Sequence, residues 1–268
     1  MIEHETQLQY STAELLRIRA ETHARYTERF VDLDLECAMV LDLAEDESLL
    51  DVGCGPGAFL RYLRAHGYTG RLAGLDQSVG MIATAKKSSA VSGIEWHVGE
   101  ADALPFPDGA FTAVSARHML YHVPDIQAAL TEFARVVGPG GTVLAATNGA
   151  DNLPHATALA DDLLAHFGLT GISFFGTAFC TANALELLGT VFPEVRETLL
   201  PNALVVTDPE PIVRYVMTMT QVQEVADQPG MLDEMRDWLT AEASARLAAM
   251  GGIWRDPKTV GLYRCKAA

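Results

Sequence analysis

Basic residues are scarce in this sequence. Its 268 residues include 19 lysines and arginines against 35 aspartates and glutamates, which gives a formal net charge of −16 at pH 7. A surface of this charge repels the phosphate groups of nucleic acids and of anionic membranes. We therefore expect neither a nucleic acid nor a membrane as a partner of this chain.

Cysteine and long apolar runs are scarce as well. The four cysteines (Cys37, Cys54, Cys180 and Cys265) are scattered without a Cys-x-x-Cys pair, which argues against a disulfide framework and against a metal site. No apolar run reaches the length of a membrane-spanning helix, and the acidic first residues lack the apolar core of a signal peptide. We expect a cytoplasmic protein that needs no metal.

The hydrophobic residues that are present follow an alternating pattern. They make up 49% of the chain, enough to bury the core of a single domain spanning 1–268. Between Leu49 and Thr147, short apolar segments alternate with segments of helical spacing. This order predicts a Rossmann-like α/β fold whose parallel, doubly wound sheet has right-handed crossovers. The predicted strands cover residues 49–52, 70–76, 94–98, 111–115 and 142–147.

The segments on either side of this core have mostly helical spacing. We expect a helical N-terminal cap over 8–44 and helical elaborations over 151–190 and 209–257. Two later strands are predicted near 195–206 and 259–265. The sequence leaves open whether the late helices cover the ligand edge of the sheet or its opposite side.

A glycine-rich turn after the first predicted strand is the strongest functional signal. Gly53, Gly55 and Gly57 occupy alternate positions, where a side chain would stop another molecule from approaching the backbone. The helix that follows offers unpaired N–H groups and a positive dipole end to an anionic group. Asp51, at the tip of the strand, adds a negative charge. A pocket with both signs of charge fits a zwitterion better than a bare phosphate.

Further acids end the second and third predicted strands. Asp76 follows Gly57 by 19 residues, about the distance at which a βαβ unit brings a carboxylate to a ribose, and Glu100 and Asp102 follow the third strand. The same turn also satisfies the loose dinucleotide-binding pattern G-x-G-x-x-A. However, Asp51 would repel a pyrophosphate, whereas the acids together suit an α-amino group, a ribose diol and an amino-purine edge.

Four segments carry a resemblance to a known family. They are 49–57 (LLDVGCGPG), 74–76 (GLD), 104–106 (LPF) and 137–141 (VGPGG). In this order and spacing they resemble class I S-adenosylmethionine-dependent methyltransferases, in particular those of the ubiquinone and menaquinone biosynthesis type. The resemblance covers roughly 45–150. It implies a seven-stranded sheet of order 3-2-1-4-5-7-6, in which the last strand is antiparallel.

The resemblance implies S-adenosylmethionine as the cofactor, with a defined set of contacts. Asp51 and the glycine-rich turn resemble the loop that holds the methionine portion, and Asp76 resembles the acid that binds the ribose. Gln77 would lie beside the adenine, with Met81 packing on it. The full set of implied cofactor residues is Asp51, Gly53, Cys54, Gly55, Gly57, Asp76, Gln77, Met81, Glu100, Ala101 and Arg117.

Two of these assignments leave alternatives open. Glu100 and Ala101 stand where the family usually has Asp-Ala, and Asp102 takes a position that is often Glu. The adenine amino group would therefore bind either Glu100, with the backbone of Ala101, or Asp102, and we favour Glu100. Arg117, just past the fourth strand, is close enough to reach either the cofactor carboxylate or the substrate.

Three histidines are candidates for a catalytic base. His118 and His122 follow the fourth predicted strand at the ligand edge, where each has a packing role as its alternative. His23 shares one helix face with Arg19 and Tyr26, which fits either a solvated stripe or a lid that contacts the substrate. A base is needed only when the methyl acceptor is protonated, because methyl transfer from a sulfonium depends mainly on alignment of the reacting atoms.

The sequence thus predicts methyl transfer from S-adenosylmethionine to an O, N or C nucleophile of a small organic molecule, with specialised metabolite biosynthesis as its setting. An alternative is that bound S-adenosylmethionine acts as a fixed charge for a non-methylating cyclisation or rearrangement. Acceptor-specific residues are expected mostly in 8–30 and 150–257. The acceptor, the methylated atom and the choice between a monomer and a homodimer stay open.

Overall fold

The structure is a computed structural model, and it describes residues 13–88, 93–169, 177–223 and 231–268. The strands are β1 Leu49–Val52, β2 Leu72–Asp76, β3 Ile94–Val98, β4 Ala113–Arg117, β5 Thr142–Asn148, β6 Glu194–Val206 and β7 Trp254–Lys266. The helices are α1 Ala13–Tyr26, α2 Leu33–Leu41, α3 Ala58–Ala65, α4 Val79–Ser88, α5 Ile126–Val137, α6 Pro154–His166, α7 Ala184–Gly189, α8 Glu210–Val216, α9 Thr220–Gln223 and α10 Met231–Ala249. A short 3₁₀ helix, Leu120–His122, follows β4.

Within the described residues, seven strands form one sheet in the order β3-β2-β1-β4-β5-β7-β6. β1 pairs in parallel with β2 and β4, β2 with β3, and β4 with β5, whereas β7 runs antiparallel to β5. The register sets Asp51 opposite Gly74 on one side and Ser115 on the other. Because parallel strands end at the same edge, β1, β2 and β4 bring their last residues together. The predicted Rossmann-like fold and the strand order implied by the resemblance are confirmed.

The described residues group into two units by their contacts. The sheet unit takes its residues from 31–150, 176–200 and 260–268, and the helical unit from 1–30, 151–175 and 201–259. In the sheet unit, the fully buried side chains include Leu50, Phe59 and Phe133. The helical unit has its own core, in which Met235 and Trp254 are fully buried. Each unit therefore buries a separate set of apolar side chains.

The start of the fourth strand corrects the prediction of 111–115. The Thr112 hydroxyl bonds the backbone of Ser48: it donates to the Ser48 carbonyl at 2.8 Å and accepts from the Ser48 N–H at 2.9 Å. Thr112 thus contacts the residue that precedes β1, and β4 runs from Ala113 to Arg117. The last strand also begins earlier than predicted, at Trp254, because a buried-exposed alternation already starts there.

The helices outside the sheet core follow the prediction in outline. The N-terminal segment forms two helices, because α1 ends at Tyr26 and Asp32 caps α2 by accepting a hydrogen bond of 3.1 Å from Leu35 N–H. Positions 8–12 of the predicted cap, 170–176, and 224–230 lie outside the described residues. In the part of the chain that is described, no helix is both long and apolar enough to cross a bilayer.

Candidate active site

The turn between β1 and α3 uses its three alternate glycines in different ways. All three have positive φ angles (65° at Gly53, 54° at Gly55 and 78° at Gly57), which glycine adopts most easily. A Cβ atom at Gly53 would lie 2.6 Å from Met119, and one at Gly57 would lie 2.1 Å from the Trp96 ring. At Gly55 it would meet no described atom within 4 Å. Gly53 and Gly57 thus also make room for the chain's own side chains, and contact of the three glycines with a ligand stays a prediction.

Trp96 of β3 is a site residue that sequence reasoning did not single out. Its ring covers Gly57 and also Gly74 of β2, where a Cβ atom would lie 2.6 Å from it. The register of β2 with β3 sets Gly74 directly beside Trp96. A glycine inside a buried strand is the signal from which this packing could have been inferred, because such a glycine often marks the close approach of a neighbour.

Asp51 is buried near the end of β1, with 1% of its surface exposed. Its Oδ1 accepts a hydrogen bond of 2.5 Å from Ser115 Oγ on β4. Its Oδ2 is also buried and has no hydrogen-bond partner among the described residues. Burial raises the pKa of Asp51, while the Arg117 charge and the Ser115 hydrogen bond lower it. Since buried polar atoms are normally partnered, this oxygen is suited to a donor on a bound ligand.

Arg117, the last residue of β4, lies between two carboxylates. Its Nη1 donates to Asp34 Oδ1 at 2.7 Å, and its Nε lies 3.8 Å from Asp51 Oδ1. The guanidinium carbon lies 3.9 Å from the centre of the Phe59 ring, which is a cation–π distance. Sequence reasoning missed Asp34 because nothing local links it to a partner 83 positions away. Contact of Arg117 with a cofactor carboxylate or a substrate stays a prediction.

Asp76, at the end of β2, is bonded to the glycine-rich turn. Its Oδ2 accepts a hydrogen bond of 2.8 Å from Gly55 N–H, and its Oδ1 accepts one of 2.8 Å from Ser78 N–H. Burial raises the pKa of Asp76, and the two backbone hydrogen bonds lower it. Each carboxylate oxygen has a further lone pair. Asp76 therefore keeps capacity for hydroxyl donors while it holds the open Gly55 in place.

The Leu-Pro-Phe segment after β3 is anchored to α5. Glu132 accepts a hydrogen bond of 2.8 Å from Leu104 N–H. Arg135 donates to the carbonyl oxygens of Leu104 at 3.2 Å and Phe106 at 2.8 Å. Both apolar side chains are buried in the core of the sheet unit. These contacts fix the chain directly after the acids that follow β3.

The remaining predicted cofactor residues lie in the turn and in the segments after β2 and β3. Their exposure differs: Cys54 and Met81 are buried, Ala101 and Asp102 are half-buried, and Gln77 and Glu100 are exposed. Both candidate adenine contacts therefore have accessible side-chain surface. The choice between Glu100 and Asp102 stays open.

His118 and His122 follow β4, which ends at the same edge as β1. His118 has a φ angle of 52°, in the left-handed region that residues other than glycine rarely adopt. Its N–H donates to the Ala146 carbonyl of β5 at 2.8 Å. His122 ends the 3₁₀ helix, and its ring packs edge-on against Tyr121 with 4.5 Å between centroids. A catalytic role for either histidine stays a prediction.

The segment that forms this edge matches a known family. Residues 50–145 match the family model described as "Methyltransferase domain". Among curated relatives, the demethylmenaquinone methyltransferase of Bacillus licheniformis is 41% identical over 107 residues, which cover 39% of this chain and 46% of that protein. The chain thus spans less than half of the length of this relative.

Solved structures resemble the segment 50–145 together with its flanking segments. A phosphoethanolamine N-methyltransferase of Haemonchus contortus, in complex with S-adenosylhomocysteine, has a TM-score of 0.54 at 16% identity, covering 88% of this chain and 52% of that one. The (4+2)-cyclase SpnF has a TM-score of 0.55 at 20% identity, covering 91% of this chain and 87% of that one. At these identities the likeness shows a shared fold.

In the helical unit, His23 of α1 joins a group of polar side chains. Its Nδ1 lies 3.0 Å from Lys258 Nζ, which also donates to Thr27 Oγ1 at 2.7 Å. Its Nε2 lies 3.4 Å from Tyr215 Oη. Burial lowers the pKa of Lys258 to about 8. His23 therefore has partners within its own unit, and its contact with a substrate stays a prediction.

A cavity of about 730 Å³ also lies within the helical unit. Its apolar lining comes mainly from α1 and α8, with Leu15, Ile18, Val213 and Met217. Charged side chains line it as well: Glu14, Asp208, Glu210, Arg214 and Arg236. The volume is in the range of small-molecule binding sites. All of these residues fall in the segments where acceptor-specific residues are expected.

Proposed function

We propose that this chain binds S-adenosylmethionine at the edge formed by β1, β2 and β4 and transfers its methyl group to a small organic acceptor. The observation that carries the proposal is the buried Oδ2 of Asp51, which has no hydrogen-bond partner among the described residues and belongs to the strand that leads into the glycine-rich turn. A carboxylate oxygen in this position suits the α-ammonium of the methionine portion, because charge-assisted hydrogen bonds are the strongest. The match of residues 50–145 to a methyltransferase domain supports the assignment.

The other predicted cofactor residues receive roles from their positions. Asp76 would accept hydrogen bonds from the ribose hydroxyls with the free capacity of its carboxylate. The adenine amino group would bind Glu100, with the Ala101 backbone, or Asp102. The remaining proposed contacts, around the methionine portion and the adenine, are Gly53, Cys54, Gly55, Gly57, Gln77, Met81 and Arg117.

The proposed chemistry is in-line displacement at a methyl carbon. When bound, S-adenosylmethionine supplies that methyl group on a sulfonium, which is already an excellent leaving group. The chain contributes alignment of donor and acceptor, an effect that can supply about 7–11 kcal/mol of the barrier. A base would add about 10²–10⁴-fold where the acceptor carries a proton. The proposed bases are His118, His122 and His23. We place His118 first because its φ angle lies in the left-handed region, and strained backbone is found at functional sites.

The proposed acceptor is a small organic molecule, and the cavity of the helical unit is suited to bind one. The volume of about 730 Å³ and the mixture of apolar and charged lining suit an amphipathic molecule. The net charge of −16 supports an acceptor that is neither a nucleic acid nor a membrane component. We propose specialised metabolism in the cytoplasm as the setting, with the chain acting as a monomer or a homodimer.

Isothermal titration calorimetry tests the cofactor assignment without knowledge of the acceptor. S-adenosylmethionine and its demethylated product, S-adenosylhomocysteine, should each bind one site with a dissociation constant of the order of micromolar. Each sulfonium or thioether ligand carries the same α-ammonium and ribose, so both should engage Asp51 and Asp76. Absence of binding for both ligands would refute the proposal.

A second candidate function is that bound S-adenosylmethionine serves as a fixed charge for a cyclisation or rearrangement. The likeness in fold to the cyclase SpnF supports this candidate. Turnover with methyl-labelled cofactor separates the two, because the label moves only in methyl transfer. Mass spectrometry that finds the label in the product supports the first function, and a label left wholly on the cofactor supports the second.

A further inference from the structure

Asp34, in the first turn of α2, restrains the arginine that lies beside Asp51. Its Oδ1 accepts a hydrogen bond of 2.7 Å from Arg117 Nη1. The Phe59 ring covers the guanidinium at 3.9 Å. The Arg117 side chain is only 15% exposed, so this ion pair is largely shielded from water and from salt. Asp34 and Phe59 together therefore fix the position of the Arg117 head group.

In this position Arg117 stops short of a hydrogen bond with Asp51. Its Nε lies 3.8 Å from Asp51 Oδ1, and that Nε has no hydrogen-bond partner among the described residues. A guanidinium carries five donors in a planar fork that matches a carboxylate with two parallel hydrogen bonds. Two opposite charges this close in a buried setting gain from closing into that arrangement. The Asp34 contact at Nη1 is one restraint on this closure.

We propose that Asp34 keeps Arg117 from closing onto Asp51, and so leaves the Asp51 carboxylate free to bind the ammonium group of the methyl donor. This inference rests on the proposed function. Without Asp34, Arg117 would bond Asp51 directly and compete with the ligand for its carboxylate. Asp34 is thus a positioning residue: it touches neither ligand nor reacting atoms, and it acts through Arg117.

Two ligands separate this effect from a general loss of the site. S-adenosylhomocysteine carries the α-ammonium that Asp51 would bind. 5′-Methylthioadenosine has the same adenosine and thioether sulfur but lacks the amino acid portion. A change confined to the Asp51 contact therefore weakens the first ligand alone. A distorted turn or a poorly folded chain weakens both.

The variant Asp34→Ala should bind S-adenosylhomocysteine at least about tenfold more weakly in a calorimetric titration and bind 5′-methylthioadenosine within about twofold of the wild type. Glu36→Ala is the matched control, because it removes one negative charge from the same helix turn without touching the Arg117 contact. It should bind both ligands like the wild type. If Asp34→Ala does not fold, Asp34→Leu has a similar side-chain size without an acceptor and gives the same comparison.

Three outcomes would overturn the inference. Unchanged affinity of the Asp34 variant for S-adenosylhomocysteine would show that Arg117 does not compete for Asp51. Equal weakening of both ligands would show that Asp34 acts through the fold. A wild-type chain that binds neither ligand would overturn the proposed function, and the inference with it. If the wild type binds both ligands and Asp34→Ala binds them equally well, the role of Asp34 is refuted while the proposed function stands.

Discussion

Gly55 and Gly57 are separated by one residue, yet their replacement by alanine should have different consequences. Both have positive φ angles, so both variants incur the cost of a side chain in the left-handed region. Only the Cβ atom at Gly57 would strike the Trp96 ring, at 2.1 Å. We therefore expect Gly57→Ala to destabilise the fold and Gly55→Ala mainly to weaken cofactor binding.

The size of the difference follows from these two terms. Alanine in the left-handed region costs about 1–2 kcal/mol at either position. Forcing a methyl group into packed side chains adds about 1–3 kcal/mol, so Gly57→Ala should lose about 2–5 kcal/mol of unfolding free energy. At about 2–4 °C per kcal/mol for a chain of roughly this size, Gly57→Ala should melt about 2–12 °C below Gly55→Ala.

Circular dichroism melts give this difference, and calorimetric titration with S-adenosylhomocysteine gives the affinities. Gly55→Ala should bind about tenfold more weakly or worse, because its Cβ enters the space left open for the ligand. The matched control repeats both glycine variants in a Trp96→Leu background. There the melting temperatures of Gly55→Ala and Gly57→Ala should converge, because leucine leaves room for the Cβ atom at position 57. Equal melting temperatures in the wild-type background would refute the packing argument. Unchanged affinity of Gly55→Ala would refute the open turn as a ligand contact.

Three further predictions concern other contacts. Asp76→Ala should weaken S-adenosylhomocysteine binding in calorimetry by about 1–2 kcal/mol or more, the size of a lost hydrogen bond to a charged group. Arg135→Met should lower the unfolding free energy in urea titrations by about 1–3 kcal/mol, since the Leu104 and Phe106 carbonyls lose their donor. After reductive methylation of the four lysines with ¹³C-formaldehyde, Lys258 should titrate near pH 8 by NMR. This pKa lies below the ordinary lysine value of 10.5, so between pH 8 and 10.5 the Lys258 amine is protonated in the unfolded chain and neutral in the folded one. The unfolding free energy of the wild type relative to Lys258→Met should therefore rise with pH over this range.

Each of these predictions has a control and a contradicting result. An Asp76→Ala variant with wild-type affinity removes the ribose assignment. Arg17→Met, at a side chain that is 58% exposed, should change stability little, and an equal loss there would show that the Arg135 contacts are unimportant. Lys258→Arg removes one NMR signal and so assigns it. A midpoint near 10.5 for that signal would contradict the burial of this amine.

Local patterns were sufficient to predict the sheet core of the fold. Short apolar segments alternating with helical spacing located β1, β2, β3 and β5, and the resemblance supplied the strand order. The glycine-rich turn and Asp76 were also found from spacing, because a βα turn and the next strand end stand at regular distances in a βαβ unit. The bounds of β4 were missed, and no local pattern records the contact of Thr112 with Ser48, 64 positions earlier.

The contacts around Asp51 illustrate what local patterns cannot reach. The restraint on Arg117 comes from Asp34, 83 positions away, and the wall over Gly57 comes from Trp96 on a strand two places along the sheet. Both depend on register and on the choice of side-chain rotamer, which only the folded chain determines. The sequence predicts where β1, β2 and β3 end, whereas the structure decides which of their last residues keep an unpartnered atom for a ligand.

The measurement that tests the central claim most directly is a crystal structure of the chain with S-adenosylhomocysteine bound. We expect the ammonium nitrogen of the ligand at about 2.7–2.9 Å from Asp51 Oδ2, which is the distance of a charge-assisted hydrogen bond. We also expect the ribose hydroxyls to donate hydrogen bonds to Asp76. A ligand whose ammonium lies away from Asp51, with Oδ2 still unpartnered, would contradict the proposal.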